Sequence, residues 1–200
     1  MKMIYQKKKQ YRLGNIKNYS KGRGVLMNAI TLKGEKVYIK QPEFKHMEYI
    51  RKLWSDEETM KDVGGVHIID DEKAKSWFDR ICGEVGEKTN FYCIIYNLNN
   101  EPVGEVSFHR YDEVKKRAGL NIKIDARYRQ HGYGKETLKL LLVYYFNEFG
   151  GEIMQDGVGI NNKIGQRALL NFGFEHTETT EEAFVVEMSK EKFSEMYNCL

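Results

Sequence analysis

The feature that most constrains the fold is a strand, a glycine-bearing loop and a long apolar helix in direct succession. Alternating apolar residues predict a half-buried strand over Leu120–Asp125. The loop Ala126–Tyr133 follows, and a helix is predicted from about Gly134 to Phe149. This helix is apolar over most of its circumference, which predicts that it is buried rather than laid on a surface.

The segments around this unit indicate the fold class. Upstream strands joined by polar turns are typical of an antiparallel meander, whereas strands alternate with helices downstream. The predicted strands are Asn90–Tyr96, Val103–Tyr111, Ile153–Ile160 and Ala183–Met188. A helix is predicted over Asn162–Phe172. We therefore predict an α/β (mixed α+β) fold in which helices flank both faces of a mixed, mostly antiparallel central sheet.

The N-terminal half predicts a hairpin and several helices. Strands over Val25–Leu32 and Lys36–Lys40 would flank a turn, and Pro42 would open a helix. Ser55–Glu58 resembles a capping box, and Asp70 or Asp71 can cap a further helix.

Composition excludes several classes of protein. The chain has 200 residues, of which 41% are hydrophobic and 30% charged, as expected for one soluble domain. Its densest apolar stretch, Leu138–Phe146, contains Lys139 and is far shorter than the roughly 20 residues that span a bilayer. We expect no membrane segment and no secretory signal. The three cysteines, Cys82, Cys93 and Cys199, form neither a disulfide framework nor a metal pattern, which indicates a cytoplasmic protein without a metal site.

Charge is distributed unevenly along the chain. Residues 1–34 hold nine Lys or Arg and no acidic residue, which leaves 23 basic and 29 acidic residues in the remainder. The basic arm could contact RNA or the ribosome, or it could be a solvated extension. It could also pack on the body or on a partner, with a homodimer as one arrangement. The acidic body favours cationic substrates.

The loop before the buried helix is suited to an anion. Gly132 and Gly134 allow close approach of the backbone, and Arg127, Arg129 and Lys135 add positive charge. The free N–H groups at a helix N-terminus bind phosphate well. Thr137 stands where a dinucleotide-binding loop would have its third glycine, so that motif is not met. The alternative interpretation is that the two glycines simply form a tight turn.

The same loop resembles the signature of the GNAT (Gcn5-related N-acetyltransferase) superfamily, Arg/Gln-x-x-Gly-x-Gly/Ala. The matching run is Arg129-Gln130-His131-Gly132-Tyr133-Gly134. Asn162, Gly165 and Gly173-Phe174 match the family pattern downstream, and Glu101–Glu105 resembles its turn into the third strand. The resemblance predicts an acetyltransferase domain over 36–193; the basic extension over 1–35 lies outside it, as does a tail over 194–200.

The resemblance implies that acetyl-CoA is the acetyl donor. Seven consecutive loop residues would grip its pyrophosphate: Arg129, Gln130, His131, Gly132, Tyr133, Gly134 and Lys135. The strand edge at Ile122 and Ile124 would pair with the pantetheine arm, and a backbone N–H near Ile124 would stabilise the oxyanion. Asn162 would contact pantetheine or orient the following helix.

The resemblance also implies direct attack of an amine on the thioester, with a base to take up its proton. Glu105 is our candidate base, with a solvated strand carboxylate as the other interpretation. Leu169 stands where many family members have a tyrosine that protonates the thiolate, so that role has no candidate. Leucine there is similar to the branch that acetylates the N-termini of ribosomal proteins.

The acceptor stays open at this stage. A protein N-terminus, a polyamine or an aminoglycoside would each suit an acidic body. Trp54 and Trp77 could line an acceptor cleft or pack in the core. A non-catalytic acyl-CoA-binding module of this fold, or an RNA-associated protein that acts through its arm, are the alternatives to an enzyme.

Overall fold

A computed structural model describes residues 30–83 and 89–197, which form one eight-stranded sheet with helices on both faces. The strand order is β1-β2-β3-β4-β5-β6-β8-β7. The strands are β1 (Thr31–Lys33), β2 (Val37–Lys40), β3 (Phe91–Asn97), β4 (Pro102–Asp112), β5 (Arg117–Ile124), β6 (Ile153–Gly159), β7 (Glu175–Thr179) and β8 (Ala183–Ser189). Among them only β5 and β6 run parallel, so the predicted mixed, mostly antiparallel sheet is confirmed.

Six α-helices accompany the sheet in the described part of the chain. They are α1 (Met47–Ser55), α2 (Glu57–Met60), α3 (Asp71–Cys82), α4 (Tyr133–Tyr144), α5 (Lys163–Phe172) and α6 (Lys190–Tyr197). Short 3₁₀ turns at Phe44–His46 and Ala126–Tyr128 precede α1 and α4. None of the described helices combines the length and the apolar character needed to cross a bilayer.

The helix α4 lies in the main core, as its sequence predicts. Leu141 and Leu142 are completely buried, and a π-helical turn over Tyr145–Phe149 continues the helix. Inside that turn, the Tyr145 hydroxyl lies within hydrogen-bond distance of the carbonyl oxygens of Lys116 (3.1 Å) and Ile153 (2.9 Å). The helix end therefore holds the starts of β5 and β6 together.

The two faces of the sheet are covered by different helices. Phe91, Cys93 and Ile95 of β3 point into the core that contains α4. Tyr92 and Ile94, between them, point into a smaller core with residues of α1 and α3. Side chains alternate across a strand, so each face of the sheet has its own hydrophobic cluster.

The sheet splits where its only parallel seam ends. The pairs between β5 and β6 run from Arg117–Ile153 to Gly119–Gln155 and stop there. On the far side of β6, pairing with β8 continues to Gly159–Ala183. Beyond Gly119, the edge of β5 that faces β6 is therefore open between the two strands.

Several local expectations need correction or fall outside the described residues. Asp56, rather than Ser55, caps α2, because its side chain accepts a hydrogen bond from the Thr59 N–H. Asp70 caps α3. The predicted strand Val25–Leu32 is described only from residue 30, where β1 covers Thr31–Lys33. Cys199 and residues 1–29 of the basic arm lie outside the described part.

Candidate active site

One cavity lies on the face of the sheet covered by α1 and α3; we call it the aromatic cavity. Its volume is about 640 Å³. Trp54, Trp77 and Tyr92 form one wall, and successive edge-to-face contacts join their rings at centroid distances of 5.5 Å. Both tryptophans line this cavity; Trp77 also belongs to the smaller core, and Trp54 packs against that core.

A second cavity, the loop cavity, lies on the face covered by α4 and α5. Its volume is about 660 Å³, and most of its wall is apolar carbon from β5, α4 and α5. Five of the predicted cofactor residues line it: Ile122, Ile124, Gly134, Lys135 and Asn162. The predicted residues Arg129, Gln130, His131, Gly132 and Tyr133 lie in the adjoining loop and at the start of α4.

Asn121, Asp156 and Gly157 line both cavities. Asn121 belongs to β5, and Asp156 and Gly157 belong to β6, immediately beyond the last β5–β6 pair. The split in the sheet is therefore the passage between the cavities. A molecule held in the loop cavity can meet one held in the aromatic cavity at this point.

The backbone of β5 has N–H and C=O groups that point into the split. The Asp125 N–H donates to the Val103 carbonyl at 3.0 Å, in register with the pairs Gly104–Ile124 and Val106–Ile122. Hydrogen-bonded and non-hydrogen-bonded pairs alternate along an antiparallel ladder. Ile122 and Ile124 therefore direct their N–H and C=O groups away from β4, towards β6.

The loop before α4 has the backbone conformation of an anion site. Gly132 is the N-cap of α4 with φ of 79°, and Gln130 also has a positive φ of 67°. Gly134 and Lys135 occupy the first turn, where backbone N–H groups have no partner within the helix. The positive end of the helix and the Lys135 ammonium both favour a phosphate group there.

The arginines of this loop have mainly internal partners. The Arg127 guanidinium grips the Asp125 carboxylate with contacts of 3.0 and 2.6 Å. Arg129 donates to the backbone carbonyls of Thr59 (2.9 Å) and Ile124 (3.3 Å). The Arg129 side chain thus fixes the loop to α2 and β5. His131 likewise contacts the carbonyl of Arg129 through Nδ1 at 2.8 Å.

Two residues that sequence reasoning missed support the same loop. Lys36 Nζ donates to the His131 carbonyl at 3.3 Å, and Glu136 of α4 accepts hydrogen bonds from the backbone N–H groups of Glu35, Lys36 and Val37. Lys36 and His131 are 95 positions apart, and no local pattern connects them. Lys36 reaches the loop because it immediately precedes β2, which packs against α4.

Asn162 orients the helix that follows it. Its Oδ1 accepts a hydrogen bond from the Gly165 N–H at 2.8 Å, and its Nδ2 donates to the Asp62 carbonyl at 3.0 Å. The first contact caps α5, and the second ties α5 to the segment after α2. Of the two predicted roles, orientation of the helix is directly visible, and the residue also lines the loop cavity.

Glu105 lies in a buried polar cluster beside the aromatic cavity. Its side chain has no solvent exposure, and its Oε1 accepts hydrogen bonds from Lys123 Nζ (2.6 Å) and Asn121 Nδ2 (3.2 Å). Its Oε2 accepts from Trp54 Nε1 (2.7 Å) and from the Tyr92 hydroxyl. Four donors fill the acceptor sites of a carboxylate. Glu105 is therefore not a solvated strand residue, and all its lone pairs are engaged.

Asp156 is the other acidic residue at the passage, and sequence reasoning missed it. Burial raises its pKa from 3.8 to about 7, against the smaller lowering effects of the Gly157 N–H and the Lys123 charge. The available signal was a single carboxylate in a predicted strand whose other residues are uncharged. A lone carboxylate in a strand indicates a functional position only when the gap between β5 and β6 beside it is known.

Two further residues of interest, His109 and Leu169, each line only one of the two cavities. His109 lines the aromatic cavity, where burial and the charges of Arg110 and Lys123 lower its pKa. Leu169 is buried and lines the loop cavity at the position of the family tyrosine. Within residues 30–83 and 89–197, no group of three His, Cys, Asp or Glu is placed to hold a metal ion.

Comparison with known proteins agrees with this architecture. Residues 36–175 match the family model described as an acetyltransferase (GNAT) domain. No curated protein matches the chain. A GNAT-family acetyltransferase from Bacillus anthracis aligns with a TM-score of 0.68 at 20% identity, covering 80% of this chain and 99% of that one.

Two solved structures from Vibrio cholerae also share the fold. Spermidine N-acetyltransferase in complex with CoA and spermine aligns with a TM-score of 0.72 at 11% identity, covering 78% of this chain and 97% of its own. A protein provisionally assigned as a ribosomal-protein-serine acetyltransferase aligns with a TM-score of 0.67 at 15% identity, covering 80% and 97%.

Proposed function

The chain belongs to the acetyltransferase (GNAT) domain family, and from that premise we propose that it moves the acetyl group of acetyl-CoA directly to a primary amine. The observation that carries this proposal is the pair of cavities that meet at Asn121, Asp156 and Gly157. Direct transfer requires two sites that open onto one point, so that the two reactants come together without a covalent enzyme intermediate.

We assign the loop cavity to acetyl-CoA. The N-terminal turn of α4 and Lys135 would hold the pyrophosphate, with Lys36 as a further cation beside the loop. The apolar wall suits the pantetheine arm, and the outward backbone groups of Ile122 and Ile124 can pair with its amides. Bound in this way, acetyl-CoA supplies a thioester carbonyl as the electrophile.

The chain's own groups would then align and polarise that carbonyl. An N–H group on the open edge of β5 near Ile124 can donate to the oxygen on which negative charge develops. Asn162 holds the start of α5 against the same cavity. Leu169 offers no proton, so the departing thiolate takes one from solvent or from the amine.

We propose a protein N-terminus as the acceptor, ahead of a polyamine or an aminoglycoside. The aromatic cavity is lined by Arg110, Arg117 and Lys123 against Asp112 and Asp156, so its described walls do not form a trap for a polycation. A peptide presents one ammonium group and a backbone, which suits a single carboxylate at the passage. Small cationic amines remain the second candidate, since a neighbour in fold is named for spermidine.

The test is release of CoA thiol in the presence of an amine panel. Peptides with free N-termini, spermidine and an aminoglycoside are each added to protein and acetyl-CoA, and acetylated product is identified by mass. We expect amine-dependent release, fastest with peptides. Binding of acetyl-CoA without release for any amine would instead support the non-catalytic alternative. We place the reaction in the cytoplasm, in keeping with Cys82 and Cys93, which are not joined in a disulfide.

A further inference from the structure

Asp156 is the one acidic residue of β6, and it lines both cavities. The preceding residue, Gln155, is the last on β6 to pair with β5, and Asp156 follows on the open side of the split. Its neighbour on the other side, Val186 of β8, is an apolar residue that holds the strand in register. Asp156 is thus fixed by the sheet at the junction where the amine and the thioester must meet.

The surroundings of Asp156 leave its carboxylate able to accept a proton. The Gly157 backbone N–H and the charge of Lys123 favour its ionised form. Lys123 is itself bound to Glu105 at 2.6 Å. No ion pair with Asp156 occurs among residues 30–83 and 89–197. Glu105, in contrast, has four donors on its two oxygens, so a proton reaches it only after a donor leaves.

We propose that Asp156 is the catalytic base, the group that takes the proton from the acceptor's ammonium at the passage between the cavities. The inference rests on the proposed acetyl transfer and names a residue for it. Partial burial keeps this carboxylate protonated to a higher pH than usual, with a pKa of about 7, and a base is most effective when its pKa lies near the working pH.

The proton balance of the step is complete without another reactant. One ammonium proton passes to the Asp156 carboxylate and then to solvent through the aromatic cavity. The neutral nitrogen attacks the thioester carbonyl carbon, so that a C–N bond forms and the C–S bond breaks. The sulfur leaves with the C–S electron pair and takes up the second nitrogen proton. The products are an acetylated amine, CoA thiol and one released proton.

Several other charged or titratable groups line the two cavities around Asp156. They are Lys123 and Arg117 of β5, His109, Arg110 and Asp112 of β4, Lys135 of α4 and Asp62 after α2. His109 is the strongest competitor as a base, but it lines the aromatic cavity alone. Lys135 and Asp62 line the loop cavity alone. Asp156 alone among these groups lines both.

The test compares pH–rate profiles of the wild type, Asp156→Asn and Asp156→Glu. We expect kcat/KM of the wild type to rise through an acidic limb near pH 7. Asp156→Asn should lose this limb and about 100-fold or more in rate, while Asp156→Glu retains a limb at a shifted pH. Acetyl-CoA binding, measured by calorimetry, should change less than about threefold in both variants, since a general base acts on the chemical step.

Control variants separate Asp156 from the other candidates. Asp79→Asn removes an exposed carboxylate that pairs with Lys75 on α3, and it should keep the wild-type profile. Glu105→Gln and His109→Gln should each retain the acidic limb even where the rate falls. If Asp156→Asn keeps the limb and the rate, or if the limb disappears in His109→Gln, Asp156 is not the base.

Failure of the proposed function looks different. A wild-type protein that binds acetyl-CoA but releases no thiol with any amine overturns acetyl transfer, and the role of Asp156 with it. A wild-type protein that turns over normally, with a pH profile that Asp156→Asn does not alter, overturns the inference about Asp156 alone.

Discussion

Lys123 Nζ lies 2.6 Å from Glu105 Oε1, and the side chains on both sides of this contact are almost fully removed from solvent. The ammonium also lies 4.7 Å from the centroid of the Trp54 ring, whose Nε1 donates to the same carboxylate. The ion pair therefore fixes the tryptophan wall of the aromatic cavity. Charge, aromatic packing and cavity shape depend on one another at this point.

Breaking this pair should destabilise the protein strongly. Lys123→Met leaves a buried carboxylate without its cation, and we expect the free energy of unfolding to fall by about 3–5 kcal/mol. Adding Glu105→Gln should recover part of that loss, because no charge then remains buried. Urea unfolding of the two single variants and the double variant measures the coupling.

An exposed ion pair provides the control for that experiment. Lys75 and Asp79 also approach to 2.6 Å, but on the solvent side of α3. Lys75→Met should change the free energy of unfolding by less than about 1 kcal/mol. A cost for Lys123→Met as small as this would show that the buried charges are not coupled.

Acetyl-CoA should stabilise the protein through the loop at the start of α4. A concentration of about 100 times the dissociation constant adds roughly 2.7 kcal/mol, or about 5–10 °C in Tm. Gly134→Glu should abolish the shift by placing a carboxylate at the phosphate site. A Cβ at Gly134 would lie 3.6 Å from Ile124 Cγ1, so the fold has room for the substitution. Thermal unfolding with and without ligand checks this.

The control for Gly134→Glu adds the same charge elsewhere. Leu98 is an exposed residue in the turn between β3 and β4, outside both cavities. Leu98→Glu should retain the full thermal shift. Equal shifts in Gly134→Glu and in the wild type would contradict the assignment of the loop to the phosphates.

Two helix caps offer a matched comparison. Asn162 caps α5 and Asp70 caps α3, each by accepting a backbone N–H at 2.8 Å. Replacing either residue with Ala should cost about 1 kcal/mol of stability. Only Asn162→Ala should also weaken acetyl-CoA binding, because Asn162 lines the loop cavity and Asp70 does not. Calorimetric titration of both variants with acetyl-CoA measures this. Equal affinities in the two variants would mean that Asn162 does not contribute to acetyl-CoA binding.

Asp156 should leave a signature in the pH dependence of stability. Its pKa is raised to about 7 in the folded protein, so the unfolded chain loses this proton first as pH rises. The contribution of Asp156 to stability is therefore fully present below about pH 4 and is lost by about pH 7 to 8. Asp156→Asn, which does not ionise, should gain stability relative to the wild type across this range.

Urea unfolding at several pH values between about 4 and 8 measures that difference. Asp79→Asn serves again as the exposed control and should show no comparable trend. A constant difference between Asp156→Asn and the wild type at all pH values would mean that the carboxylate titrates equally in the folded and unfolded states.

The centre of the fold was readily predicted because its patterns are local. Alternation identified β5, polar turns marked off β3 and β4, and the apolar circumference identified α4, whose end nevertheless forms a π-helical turn. The edge strand β7 was missed because all five of its side chains are polar and exposed. It forms by pairing with β8, a tertiary effect that no local pattern reports.

The site was predictable in part for the same reason. Glycines and basic residues between a strand and a helix mark the loop within a few positions of sequence. Lys36 and Asp156, in contrast, come to the candidate site through tertiary contacts with parts of the chain far from them in sequence. Glu105 was noticed on its strand, but its four donors come from α1, β3 and β5 and are invisible to periodicity.

The short seam between β5 and β6 has a mechanical consequence. The sheet consists of an N-terminal half, β1 to β5, and a C-terminal half, β6 to β8. The two halves are joined only by the β5–β6 pairs from Arg117–Ile153 to Gly119–Gln155. A ligand bound in the split would contact both halves and stabilise their association. Cleavage between Gly150 and Gly151 would give one fragment with β1 to β5 and one with β6 to β8. These two fragments should bind each other with higher affinity when acetyl-CoA is present, because the co-substrate would pair with the sheet as an additional strand does.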